Sequence, residues 1–231
     1  MLTLRPARQR GRASFGWLNS YHSFSFGRYY DPRHMGVSAL RVINDDFVRP
    51  GSGFESHGHR NMEIISYVIQ GTLEHRDSLG HGGLIEAGEF QLMSAGRGIR
   101  HSEFNPSNSE SLNFLQIWIE PNQLDSEPGY QQQPFEQPQV QTLIASPDGR
   151  NGSLRLRQDA LLYRIRLSQP GDEHRIELAA SRTGYLHVVK GALSADAQPV
   201  SSGDGLTVQQ QRGVTLRAAS EDSELLLFDL P

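Results

Sequence analysis

The sequence predicts an all-β protein made of two related antiparallel β-barrels, and three observations carry that expectation. Short strand-like runs recur along the whole chain. No long stretch keeps the i, i+3, i+4, i+7 spacing of an amphipathic helix. The glycines of the first half return at matching intervals in the second. At 231 residues the chain is long for one ordinary domain and sufficient for two of roughly 100–120, each able to bury a core.

The strand signals come in order as "ALRVINDDFV", "MEIISYVIQ", "GEFQLMSA" and "LNFLQIWI" in the first half. "LRLRQ", "YRIRLS", "GYLHVV", "GLTVQ", "GVTLRA" and "SELLLFDL" follow in the second. Each is short, rich in β-branched or aromatic residues, and bounded by Gly, Pro, Asn, Asp or Ser, which favour turns. Many short strands of this kind point to barrels or sandwiches. Within the first run, Asn44, Asp45 and Asp46 read as a turn at a strand break. Residues 121–141, "PNQLDSEPGYQQQPFEQPQVQ", are rich in Pro and Gln and read as an extended connection. The expected division is therefore an N-terminal domain over 1–125, a connection over 126–145 and a C-terminal domain over 146–231.

The two halves echo each other. "RPGSGFESHGHRNMEIISYVIQGTL" lies on "QPGDEHRIELAASRTGYLHVVKGAL" without a gap, so Gly51 meets Gly171 and Gly71 meets Gly191. "AGEFQLMSAGRGIRHSEF" lies over "SGDGLTVQQQRGVTLRAA" after a short deletion, matching Gly88 and Gly98 to Gly203 and Gly213. In this alignment His57 faces Glu177, His59 faces Ala179, His101 faces Leu216 and Glu103 faces Ala218. The polar interior belongs to the first half alone.

Composition narrows the function. A formal net charge of −4 gives no general attraction to nucleic acid or to an anionic membrane. The basic start "RPARQRGR", with Arg5, Arg8, Arg10 and Arg12, reads as a solvated arm. No apolar run approaches membrane-spanning length, and the start lacks a signal-peptide core. Zero cysteines exclude disulfides and thiolate chemistry, so any metal must use His, Asp or Glu. A soluble cytoplasmic protein is expected, with a monomer favoured.

Two pairs carry the chemistry. Residues i and i+2 of a strand project from one face. His57 and His59 in "ESHGHR", and His101 and Glu103 in "IRHSEF", can therefore aim three imidazoles and one carboxylate into one barrel. That donor set suits one divalent first-row metal and leaves coordination positions open for water, substrate or dioxygen. Glu63, six residues beyond His57, shares its parity and stands as the other candidate carboxylate or as a group supporting a ligand imidazole.

The spacing Gly51-x5-His57-x-His59-x3-Glu63-x7-Gly71 resembles the first cupin motif, and Gly88, Gly96, His101 and Asn105 resemble the second. The last gap of the first motif is seven residues where six is usual. In the second, Ser94 replaces a customary Pro, and four residues rather than two separate Gly96 from His101. Those departures resemble the pirin branch, whose hallmarks appear as "FSFGRYYDP", "GFESHGHRNMEIISYVIQG" and "MSAGRGIRHSE". The likeness runs from "GWLNSYHSFSF" to the C-terminus, and "SALRVINDDFV" is similar to bacterial pirin-like proteins described as quercetin 2,3-dioxygenases.

The resemblance implies a bicupin, two face-to-face barrels of cupin or jelly-roll type with one metal in the N-terminal barrel. It implies His57, His59, His101 and Glu103 as the ligands and Glu103 rather than Glu63 as the carboxylate. Ligand type and a cytosolic setting make Fe(II) the first choice. Manganese, nickel, copper, cobalt or zinc are compatible with the same donors. It also implies a dioxygenase that cleaves a flavonol such as quercetin with O2, Glu103 accepting the 3-hydroxyl proton. The alternative is a metal-dependent redox sensor or transcriptional co-regulator that docks on a protein partner. Neither reading includes direct contact with nucleic acid, since no recognition helix is present.

Other residues receive plainer expectations. His22 reads as a hydrogen-bonded structural histidine rather than a residue of the pocket mouth, His34 as a turn residue, and His75 and His81 as solvent-facing members of a polar hairpin. His174 and His187 carry no chemistry. Arg97 and Arg100 serve the surface or an anionic substrate, while Phe54, Met62 and Phe104 pack the core or line a pocket.

Overall fold

The computed structural model describes residues 1–135 and 139–231, and among them it contains no α-helix. The first strands are β1 (Leu2–Arg5), β2 (Gly11–Ser14), β3 (Leu18–His22), β4 (Leu40–Val48), β5 (Gly53–His59) and β6 (Glu63–Gln70). Then follow β7 (Thr72–Asp77), β8 (Gly82–Glu86), β9 (Glu89–Ser94), β10 (Ile99–Phe104), β11 (Leu112–Ile119) and β12 (Gly129–Pro134). The second half holds β13 (Gln141–Ser146), β14 (Leu154–Arg155), β15 (Leu161–Leu167), β16 (Glu173–Glu177) and β17 (Thr183–Lys190). It ends with β18 (Ala192–Ala195), β19 (Gln198–Ser201), β20 (Gly205–Val208), β21 (Gly213–Ala218) and β22 (Ser223–Leu230).

The chain forms two compact units. One contains Gly11–Glu136 with Leu156–Gln158; the other contains Met1–Arg10, Gln137–Arg155 and Asp159–Pro231. Each is built from a seven-stranded and a four-stranded sheet. In the first unit the orders are β12-β9-β6-β11-β4-β3-β2 and β5-β10-β7-β8; in the second they are β1-β20-β17-β22-β15-β13-β14 and β16-β21-β18-β19. The four-stranded orders coincide, as do the central runs β9-β6-β11-β4-β3 and β20-β17-β22-β15-β13, so the glycine echo in the sequence marks a repeated central topology; the edges differ, since β14 runs parallel to β13 and β1 comes from the start of the chain. Gly71 and Gly191 show why: each sits at positive φ, +80° and +84°, in the tight turn after β6 or β17, where an L side chain is strained.

The barrel interiors differ in kind. The first unit has a small apolar cluster in which Leu73 and Ile85 of the four-stranded sheet pack against Leu18, Val48, Val68, Leu112 and Phe114 of the seven-stranded one. The second is filled by Ile176, Leu193, Val214 and Leu216 facing Leu186, Leu206, Leu225 and other aliphatics. Register corrects the expected equivalences by two residues. Glu103 lies opposite His75, and Leu216 lies opposite Ala195, the residue that matches His75 in the repeat. Val214 and Leu216 therefore occupy the places of His101 and Glu103, and both are fully buried. With aliphatic side chains at both places, the second barrel lacks the polar interior of the first.

Three further expectations are revised. The basic start is no loose arm: β1 pairs with β20, its alternate Leu2 and Leu4 pack on the second unit's core, and Arg5 is buried as well. Within the expected connection, β12 pairs antiparallel with β9 and β13 with β15, so both join sheets; residues 136–138 lie outside the described residues. Asn44, Asp45 and Asp46 make no turn. β4 runs straight through them because β3 and β11 pair with it on either side. Among the described residues no helix is long and apolar enough to cross a membrane.

Candidate metal centre

The histidine cluster is assembled by two neighbouring strands. β5 presents His57 and His59 on one face, and β10 places His101 directly across from His57. Ligand nitrogens of His57, His59 and His101 all lie within 4.8 Å of one another, and the ring centroids are 4.6 to 4.9 Å apart. Burial pushes the His59 and His101 imidazoles down to about 3, with the neighbouring rings adding to the effect. Both rings are then neutral at pH 7 and keep a lone pair. The Nδ1 of His57 lies 2.8 Å from the Glu55 carbonyl, and the Nδ1 of His101 lies 3.5 Å from His75 Nδ1. The other nitrogen of His101, Nε2, is buried without a hydrogen-bond partner among the described residues. A buried polar atom left unpaired costs about 1–3 kcal/mol. An ion between the three rings would remove that cost, so the residues present fit a metal with nitrogen ligands.

Glu103 stands slightly apart from the imidazoles. Its carboxylate is not in the 4.8 Å set; it accepts hydrogen bonds from Ser66 Oγ at 3.0 Å and Gln116 Nε2 at 2.6 Å. The pairing of β10 with β5 slips between His101 and Glu103, which breaks the simple two-residue repeat. Burial pushes the Glu103 carboxyl up, opposed by His75, Ser66, His57 and Gln116. Glu63 is elsewhere. It accepts from Ser94 Oγ at 2.9 Å and from the Arg157 backbone N–H at 3.1 Å. Three residues away on β6, Ser66 faces Glu103, so Glu63 lies on the opposite face of the strand. Parity counted from His57 failed because the intervening turn, with Asn61 at φ +51°, resets it.

Beside the histidines opens a cavity of about 1160 Å³, on the generous side for a small-molecule site. Its walls combine Phe15, Trp17, Phe26, Phe54, Phe104 and Trp118 with Ser20, His22, Asn44, Asp46 and Gln116. The polar members follow from register: His22 faces Asn44, and Asn44 faces Gln116. His22 Nδ1 binds Asn44 Oδ1 at 2.7 Å while its ring stacks on Phe26, so this histidine is both structural and pocket-lining. Asp46 is pushed up to about 7 by burial, the Ser20 hydroxyl opposing and the Glu103 and Asp45 charges adding. Met62 packs with Ile64, Met93 and Ile99 instead of lining the cavity. Arg97 pairs with Glu127, and Arg100 donates to the Ser56 carbonyl.

Of the two hairpin histidines, His81 faces solvent as expected and His75 does not. His75 is fully buried, and its Nε2 lies 3.5 Å from Asp77 Oδ2, which lies 3.1 Å from His81 Nδ1. Tyr130 of β12 covers both rings, its centroid 4.9 Å from His75 and 5.5 Å from His81. A signal was present: His75-x-Asp77 is a third i, i+2 pair on a strand, of the same kind as those already singled out. Burial would raise Asp77, but the Leu79 and His81 amides and the two imidazoles outweigh it and hold the carboxyl down.

Comparison with known proteins agrees with this picture. Residues 3–119 match the family model described as Pirin, and residues 143–230 match one described as Quercetinase C-terminal cupin domain. A curated relative from Escherichia coli K12 named quercetin 2,3-dioxygenase is 50% identical over 232 residues, covering 100% of this chain and 99% of its own. The crystal structure of YhhW from E. coli superposes with a TM-score of 0.97 at 49% identity, covering 100% of this chain and 98% of that one. A structure of bacterial pirin YhhW in complex with nickel(II), also from E. coli, gives a TM-score of 0.96 at 49% identity, covering 100% and 99%.

Proposed function

Because the chain belongs to the pirin family, we propose that it is a metal-dependent dioxygenase of the quercetin 2,3-dioxygenase type, acting on a flavonol or a similar hydroxylated aromatic. The observation that carries this reading is the cavity of about 1160 Å³ opening beside His57 and His59. A site that acted only through a protein partner has no need of an aromatic-walled chamber at its ligands. The relatives' names and the nickel held by a homologue support the same reading.

His57, His59, His101 and Glu103 are the proposed ligands. A divalent ion held there would supply Lewis acidity toward an anionic substrate oxygen; iron(II) is the first expectation and nickel(II) the precedent. The rest is the work of the chain. Phe26, Phe54 and Trp118 bury the flat rings and keep water out. Glu103, held by Ser66 and Gln116, accepts the proton of the substrate's 3-hydroxyl. Those two donors aim the carboxylate and favour its ionised form, against the burial that opposes it.

The test is simultaneous measurement of quercetin loss and oxygen uptake by the metal-loaded protein. Equal consumption of both, far above the same concentration of free metal, and its loss in Glu103→Gln are expected. Turnover no faster than free metal would remove the enzyme reading for this substrate.

A further inference from the structure

We infer that His75 and Asp77 form a hydrogen-bonded relay that fixes the tautomer of His101, making His75 a positioning residue for the metal centre. The inference rests on the reading of His101 as a ligand. Its geometry is independent of that reading.

The relay is a chain of four groups: His101 Nδ1 to His75 Nδ1 at 3.5 Å, His75 Nε2 to Asp77 Oδ2 at 3.5 Å, and Asp77 Oδ2 to His81 Nδ1 at 3.1 Å. The side chains of His75 and Asp77 are fully shielded from solvent, whereas that of His81 is 46% exposed. Protons must be placed so that every contact has one donor. Asp77 is the anchor, because an ionised carboxylate only accepts. Its Oδ1 already accepts the amides of Leu79 and His81, which fixes the carboxylate plane. His75 must then carry its proton on Nε2 to donate to Oδ2. A neutral imidazole has one N–H, so His75 Nδ1 is left as an acceptor. The facing Nδ1 of His101 must supply the proton in that contact. Its Nε2 is thereby left with a bare lone pair, and this is the buried atom that has no partner among the described residues.

One proton arrangement therefore satisfies the whole chain, and it delivers the ligand nitrogen in the form an ion needs. Outer groups that hold a ligand imidazole in this way contribute to metal affinity almost as directly as the ligands. His57 reaches the same tautomer by a shorter route, through its Nδ1 and the Glu55 carbonyl. Tyr130 stacks on His81, lies tilted over His75 and closes the relay from the side.

Asp77→Asn is the discriminating variant. It keeps a carbonyl oxygen for the Leu79 and His81 amides, but it turns an NH2 donor toward His75. The relay then reverses: His75 accepts at Nε2 and donates from Nδ1, and His101 must carry its proton on Nε2, where it blocks the ion. Long-range 1H–15N correlation spectra of the metal-stripped full chain read the tautomers directly. Wild type is expected to show His101 protonated on Nδ1 and Asp77→Asn on Nε2. Chelator competition should show nickel(II) bound about 10–100-fold more weakly by the variant.

A wild-type His101 protonated on Nε2 overturns the relay, and that spectrum decides the matter alone if the variant does not fold. Unchanged nickel affinity in a folded Asp77→Asn overturns it as well. Wild type that binds no nickel but shows the expected tautomers sinks the metal reading and leaves the relay standing.

Discussion

Replacing His101 by leucine separates the cost of the empty site from the gain on filling it. In the metal-free protein His101 is 2% exposed, and its Nε2 lacks a partner among the described residues. Removing that atom recovers about 1–3 kcal/mol. The same change leaves His75 Nδ1 without its contact, a loss of similar size. The two offset each other, so metal-free His101→Leu should unfold within about 1 kcal/mol of wild type. With metal the balance changes. At free nickel(II) 100 times the wild-type Kd, binding stabilises the folded state by about 2.7 kcal/mol. For a chain of this size that raises Tm by roughly 5–11 °C. If losing one imidazole weakens binding about 100-fold, the same nickel concentration gives the variant only about 0.4 kcal/mol and a rise of 1–2 °C. Thermal melts of chelator-stripped protein, with and without nickel(II), read all four states. A variant that gains as much as wild type, or a wild type that gains nothing, refutes the reasoning.

Two other predictions follow from the same barrel. A Cβ at Gly53 would lie 2.2 Å from the Glu103 carbonyl oxygen and 2.6 Å from Phe104 Cα, both backbone, whereas one at Gly58 meets nothing closer than 3.8 Å. Gly53→Ala should push β5 from β10, cost about 1–3 kcal/mol in a denaturant melt and weaken nickel binding; Gly58→Ala should do neither. Asp46 has its carboxyl raised to about 7 by burial, so the folded state bears a cost that is full above pH 7 and absent below about 4, the unfolded value. Asp46→Asn should therefore be more stable than wild type at pH 8, by up to about 4 kcal/mol, with the difference shrinking as pH falls from 7 to 4. Paired denaturant titrations across that range check it, and a constant difference counts against it.

Much of this site was legible because a strand repeats every two residues. His57-x-His59 and His101-x-Glu103 could be placed on strand faces without knowing their neighbours. Parity is a local rule, however, and it lapses wherever the chain turns. Glu63 lay beyond such a turn and faced away, and the slip in β10 set Glu103 apart from the imidazoles. His75 and Asp77 obeyed the rule but sat among charged and glycine residues, so their polar surroundings outweighed their spacing. Residue type alone makes Asn44 and Asp46 look like a turn. Only the flanking strands, which no local pattern reveals, show that a polar residue there faces a cavity. Tyr130 lay in a stretch whose glutamines concealed a strand.

The opening strand β1 completes its ladder only against β20, some two hundred positions downstream, while Leu156–Gln158 belong to the earlier unit. The polypeptide is thus laced through both bodies, and no single cut would release two self-sufficient halves. On the ribosome, at roughly 5–20 residues per second, the first segment waits on the order of ten to forty seconds for its mate to emerge. Until then its backbone edge has no native partner.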